Sequence, residues 1–242
     1  MKKFLFGITV FALSAVSNAG HHENEFPFEY FLHNDVFTTQ APDVIEATEK
    51  FIESGVLNER GVAMGLYSFN AVGRHGASHA MIFNYPNAES LPSPTLLNSG
   101  KEHIAFSQAM RKAGNVTIQS TLYKAVKEFV PADAGGKYKV FSNYFLSISD
   151  PDAYIETWVG LMKELKVTEA FGVREVVAGD TDGVTHMLWI GFETMTDLVN
   201  GMETMYSSPK TAAALTKFAD IREIKRTAIA TTAIENVTAL ME

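Results

Sequence analysis

From Tyr138 to Ile148, Tyr138, Val140, Ser142, Tyr144, Leu146 and Ile148 fall on one side of a period of two. Lys139, Phe141, Asn143, Phe145 and Ser147 fall on the other, which predicts a β-strand. The period then changes to that of a helix. Asp150 supplies an N-cap, Pro151 suits the first helical position, and Ile155, Trp158, Val159, Met162 and Leu165 form one apolar stripe. Phe171 to Ala178 and Val184 to Phe192 read as two strands joined by the turn-rich Gly179 to Gly183. A helical region follows from Thr194 to about Ala219, interrupted at Ser208-Pro209, where proline starts a new helix more readily than it continues an old one. Ile221 to Ile234 closes the unit as a strand, giving the order βαββαβ.

The preceding half has the same order. A strand lies within Glu29 to Thr38, a helix from Pro42 to Ser54, strands at Gly61 to Val72 and Ala77 to Asn84, broken helices from Ala88 to Ala113, and a strand from Asn115 to Phe129. Spacing supports the repeat. Gly76-Ala77-Ser78-His79 matches Gly183-Val184-Thr185-His186, and both His79 to His186 and Leu91 to Leu198 span 107 residues (186 − 79). Pro42-Asp43 and Pro151-Asp152 lie 109 apart, while Tyr30-Phe31-Leu32 matches Tyr144-Phe145-Leu146 only at an offset of 114. Such a period is too long for a solenoid repeat and right for a small domain. The expectation is α+β: tandem ferredoxin-like units at 20–130 and 138–242, joined by a linker at 131–137.

Residues 1–19 have the form of a secretory signal, with Lys2 and Lys3, an apolar run from Phe4 to Val16, and the small-residue site Ser17-Asn18-Ala19. The apolar run is shorter than a membrane span requires. A periplasmic or secreted location follows as an expectation. Loss of the two lysines takes 20 basic residues to 18 against 28 acidic ones, a net charge near −10, which argues against nucleic acid or anionic membrane as partners. The chain has no cysteine, so thiolate and disulfide chemistry are excluded and stability must come from apolar packing.

Element order and the two Gly-x-[Ser/Thr]-His strands resemble the dimeric α/β-barrel superfamily over Tyr30 to Ile234. The similarity is greatest to fused two-copy members related to antibiotic-biosynthesis monooxygenases. That resemblance implies an intramolecular dimeric α/β barrel, as a monomer or homodimer, each unit covering the other's open sheet. It implies handling of a small apolar or aromatic molecule between sheet and helices, with cofactor-independent oxidation as one outcome. Non-catalytic ligand binding or a stress-related role is the other.

His79 and His186 are the only histidines at equivalent places, and each sits on an apolar strand face. They are either proton-transfer or ligand-orienting groups, with His186 as the catalytic candidate and His79 as a ligand contact, or core imidazoles satisfied by a backbone carbonyl or by Ser78 and Thr185. Arg174 and Glu175 point to opposite faces. An inward Arg174 would hold a carboxylate or phenolate, or lie in an internal ion pair. Its place in the first half falls near Met64 and Gly65. Trp189, Trp158 and Tyr144 are candidates to bound a planar ligand or are simply core, and Asn143 could polarise a ligand oxygen. A chain starting at Gly20 would offer its amine, His21 and His22 to Cu(II) or Ni(II). A strand histidine could ligate heme. No nucleophile elbow, Walker loop, dinucleotide fingerprint or His-Glu-x-x-His helix is present.

Overall fold

The computed structural model describes residues 26–73, 75–92, 100–131, 134, 136–180 and 182–236; the signal-like segment, His21 and His22 lie outside them. The described residues form eight antiparallel strands and five α-helices. The first half runs β1 (Tyr30–Phe37), α1 (Ala41–Glu53), β2 (Ala63–Ala71), β3 (His79–Tyr85), α2 (Lys101–Lys112) and β4 (Val116–Phe129). The second runs β5 (Val140–Ile148), α3 (Pro151–Leu165), β6 (Phe171–Ala178), β7 (His186–Phe192), α4 (Met195–Ser207), α5 (Pro209–Phe218) and β8 (Arg222–Glu235).

Local chemistry sets the helix ends. The Asp150 side chain accepts the Ala153 N–H ahead of Pro151 in α3. Thr194 and Asp197 form a reciprocal capping box at α4. Ser208 ends α4 and caps α5, with Pro209 at its first position, so the break falls where the missing N–H does no harm.

The strands close into one barrel in the order β1-β3-β2-β8-β5-β7-β6-β4. Two seams join the halves, β2 with β8 and β4 with β6. Their registers correspond residue by residue. Glu235 lies opposite Gly65 and Thr232 opposite Tyr67 in one seam; Glu128 lies opposite Gly172 and Ala125 opposite Arg174 in the other. Each of these residues is 107 positions from its counterpart, the interval between the paired histidines. Tyr67, rather than Met64 or Gly65, is therefore the counterpart of Arg174.

The first strands need a different offset. His33 stands opposite Ile82 and Asn143 opposite Trp189, so β1 and β5 are 110 apart. Tyr30-Phe31-Leu32 accordingly matches Val140-Phe141-Ser142. A slip of four residues leaves every side chain on its original face, so a period-two pattern cannot detect it.

Among the described residues, apolar side chains form four clusters, the smallest made of Tyr67, Ala80 and Ala230. α1 and α2 cover the outer face of the first half through Val44, Phe51, Met64, Leu66 and Met110. α3 to α5 cover the second through Trp158, Met162, Leu188, Ile190 and Phe218. The third cluster, including Phe31, Tyr123, Phe145, Met187 and Trp189, fills part of the barrel interior.

Candidate functional site

Inward side chains of the strands leave a cavity of about 130 Å3 in the barrel, close to the ~150 Å3 at which an apolar cavity admits benzene. Its walls are largely aromatic: Tyr67, Phe69, Phe141, Phe145 and Trp189. Phe141 stands between Tyr67, edge-on at 5.5 Å, and Trp189, tilted at 6.1 Å. Glycines make room for these rings. A Cβ at Gly65 would strike the Tyr67 ring 2.6 Å away, and one at Gly172 would strike Glu128 and the Trp189 indole.

Polar groups enter the lumen from three sets of residues. In the first, Arg174 Nε donates to Glu128 Oε1 at 2.7 Å, and Arg174 Nη1 lies 3.4 Å from His33 Nε2. The guanidinium lies 3.4 Å over the Phe31 ring and 5.3 Å from that of Trp189. Burial and the adjacent Arg174 charge depress the His33 pKa to about 3, so its imidazole is neutral and accepts from the guanidinium. Glu128 is driven the other way: burial raises its carboxyl above the ordinary value, opposed by Arg174 and by the nearby Trp189 indole. Glu128 Oε2 and Trp189 Nε1 are both buried, and neither completes a well-aligned hydrogen bond.

In the second set, Arg226 Nη1 donates to Asp35 Oδ2 at 3.1 Å, and His75 Nε2 lies 2.7 Å from the same oxygen, off the line of a hydrogen bond. Burial alone would raise the Asp35 pKa; the His75 contact and the Arg226 charge hold it below the ordinary value. In the third, Tyr67 OH donates to Glu235 Oε2 at 3.3 Å, and Lys139 Nζ reaches Glu235 Oε1 at 3.1 Å. Burial raises the Tyr67 pKa, so its phenol stays protonated. Asn143 and Asn84 add uncharged polar walls.

Arg174, Asn143 and Trp189 thus meet in the lumen, whereas the paired histidines do not reach it. His186 shares its face with Leu188 and Ile190, which pack against the helices, and its Nδ1 lies 2.9 Å from Thr185 Oγ1. His79 Nδ1 lies 2.9 Å from Ser78 Oγ. Burial lowers both pKa values. Both imidazoles are buried beside the neighbouring hydroxyl, and neither lines the cavity where Arg174, Asn143 and Trp189 meet. Tyr144 and Trp158 line a separate 40 Å3 crevice between sheet and helices, where Tyr144 OH pairs with Tyr206 OH at 2.9 Å.

His33, Asp35, Tyr67, Glu128 and Glu235 are lumen groups that strand-by-strand reading overlooked. Two signals pointed to them. His33 and Asp35 alternate on one face, and the 107-residue interval carries Arg174 to Tyr67 and Glu128 to Glu235. Among the described residues, no three His, Cys, Asp or Glu side chains gather to hold a metal ion. Among them, too, no helix is long and apolar enough to cross a membrane.

No family description and no curated protein matches this sequence. Solved structures do match its fold. The "putative monooxygenase" of Lactobacillus acidophilus NCFM superposes with a TM-score of 0.57 at 12% identity, covering 88% of this chain and 97% of that one. An anthrone oxidase-like protein gives 0.52 at 14% identity, covering 88% and 94%. A heme-binding protein from Thermus thermophilus gives 0.53 at 11% identity, covering 85% and 91%. The chain therefore shares the α/β-barrel fold of these structures.

Proposed function

We propose that the lumen binds a small planar aromatic molecule, with Arg174 meeting an oxygen of that ligand and Asn143 orienting it. One observation carries this: an aromatic-walled cavity whose inward face also holds a guanidinium pinned over Phe31. The matched strand pairings at the two seams support a tandem duplication of ferredoxin-like units fused into one barrel, of the antibiotic-biosynthesis-monooxygenase kind. The signal-like start supports action in the periplasm or outside the cell.

In the catalytic form of this proposal the protein is a cofactor-independent oxygenase. An activated aromatic methylene reacting with O2 gives a carbonyl and water, so the substrate supplies all the electrons. Arg174 would stabilise the enolate or phenolate from which that reaction starts, and the aromatic wall would exclude bulk water. The alternative is non-catalytic binding. It is favoured by the mutual pairing of the charged lumen groups, which leaves the neutral His33 as the only uncharged base among the described lumen residues. Heme does not fit the described lumen: a porphyrin exceeds the cavity, His33 already accepts from Arg174, and neither His79 nor His186 lines it.

A thermal-shift screen of small aromatics on the full chain, repeated on Ala230→Phe to fill the lumen, tests the proposal. Stabilisation of the native chain that the filled variant loses supports the lumen; equal stabilisation of both contradicts it. Oxygen uptake with each stabilising compound then separates enzyme from binder.

A further inference from the structure

We propose that the lumen selects aromatic monoanions of the benzoate class, and that Glu128 takes up one proton as the anion settles on Arg174. This rests on the lumen being the ligand site and adds the ligand's charge and its coupling to solvent protons.

The argument is one of charge balance. Arg174 faces Glu128, Arg226 faces Asp35, and Lys139 faces Glu235, so the lumen is already neutral by pairs. An aromatic ligand is held by the ring walls, but an anionic one adds an uncompensated charge to a poorly solvated space, which is unfavourable unless a proton enters with it. Arg174 is the cation best placed to meet the anion, because it lines the cavity and its guanidinium carbon is held 3.4 Å over the Phe31 ring. Its side chain is 9% exposed and that of Glu128 only 5%. Glu128 grips Nε from behind through one oxygen, and its other oxygen, Oε2, has only the poorly aligned Trp189 indole beside it to favour a negative charge.

The groups facing this pair offer poorer homes for the proton. His33 on β1 abuts Arg174, so a second positive charge there is opposed. Asp35, also on β1, is held ionised by Arg226 of β8 and by His75. Glu235 of β8 keeps Lys139. Tyr67 of β2 and Tyr123 of β4 are buried, protonated phenols that have no proton to gain. Glu128 is left as the carboxyl that burial has already moved toward its neutral form. Once it is protonated, Arg174 meets one anion instead of two.

The test is calorimetric titration of the full chain with benzoate, and with the uncharged isostere benzamide, at about pH 8 in two buffers of different ionisation enthalpy. Benzoate should bind with uptake of about one proton and benzamide with none, and benzoate affinity should fall about tenfold per pH unit on the alkaline side. Glu128→Gln should bind benzoate at least as well, without proton uptake or pH dependence. Benzoate binding without uptake in the native chain overturns the coupling, and this arm needs no variant to fold. Uptake that persists in Glu128→Gln places the proton elsewhere and also overturns it. Failure of both compounds to bind removes the lumen reading itself.

Discussion

The β4/β6 and β2/β8 seams share a register but differ in chemistry. In both, a glutamate lies opposite an inward glycine, Glu128 with Gly172 and Glu235 with Gly65. The residue two positions after the glycine then differs. In one seam it is Arg174, which forms a buried ion pair 2.7 Å from its carboxylate; in the other it is Tyr67, which donates a 3.3 Å hydrogen bond to a carboxylate that also reaches Lys139. Backbone pairing carries the symmetry of the barrel, and a single side chain on each side breaks it. The first strands show the same division, with His33 facing the lumen where its counterpart is Asn143.

Removing the distinguishing side chains should expose the difference. Arg174→Met leaves Glu128 buried without its cation and is expected to destabilise by about 3–5 kcal/mol. Tyr67→Phe removes a hydrogen bond from a glutamate that retains Lys139, for about 0.5–1.5 kcal/mol. Urea unfolding of the two variants measures both, and equal losses would mean the seams are energetically alike.

His33 gives a pH test of the same asymmetry. Its folded pKa of about 3 lies below the ordinary 6.5, so the unfolded chain binds the proton first and stability falls as pH drops through that interval. His33→Asn, which installs the residue found at the equivalent position, should flatten the acid limb by a few kcal/mol. An unchanged pH profile would show that the imidazole does not titrate as its surroundings dictate.

Gly172→Ala drives a methyl into the Glu128 carboxylate and the Trp189 indole, and is expected to destabilise by about 1–3 kcal/mol. Smallest of all, His186→Ala and His79→Ala should each lose about 1 kcal/mol, in parallel, with ligand stabilisation of the native chain retained. Loss of ligand binding in His186→Ala alone would restore a functional role to that imidazole.

Element order was legible in the sequence because strands and helices here have clean periods and strong caps, as at Asp150-Pro151 and Ser208-Pro209. Arg174, Asn143 and Trp189 could be placed together because alternation fixes which side chains share a face. Alternation does not reveal whether a face looks into the barrel or away from it, and that is why the two readings of His186 and His79 stayed open in the sequence. Glu128 was missed for a different reason. Its importance comes from a contact across a seam between strands far apart in sequence, and no local pattern carries such a contact.

The most direct measurement uses the chain's two tryptophans, Trp189 in the lumen and Trp158 in the crevice under the helices. Titrating Trp158→Phe with nitrobenzene, a small aromatic quencher of indole, should give saturable quenching of Trp189 fluorescence, while Trp189→Phe should show only the linear collisional response of Trp158. Saturation at Trp158 with a linear response at Trp189 would place the ligand between sheet and helices and contradict the account.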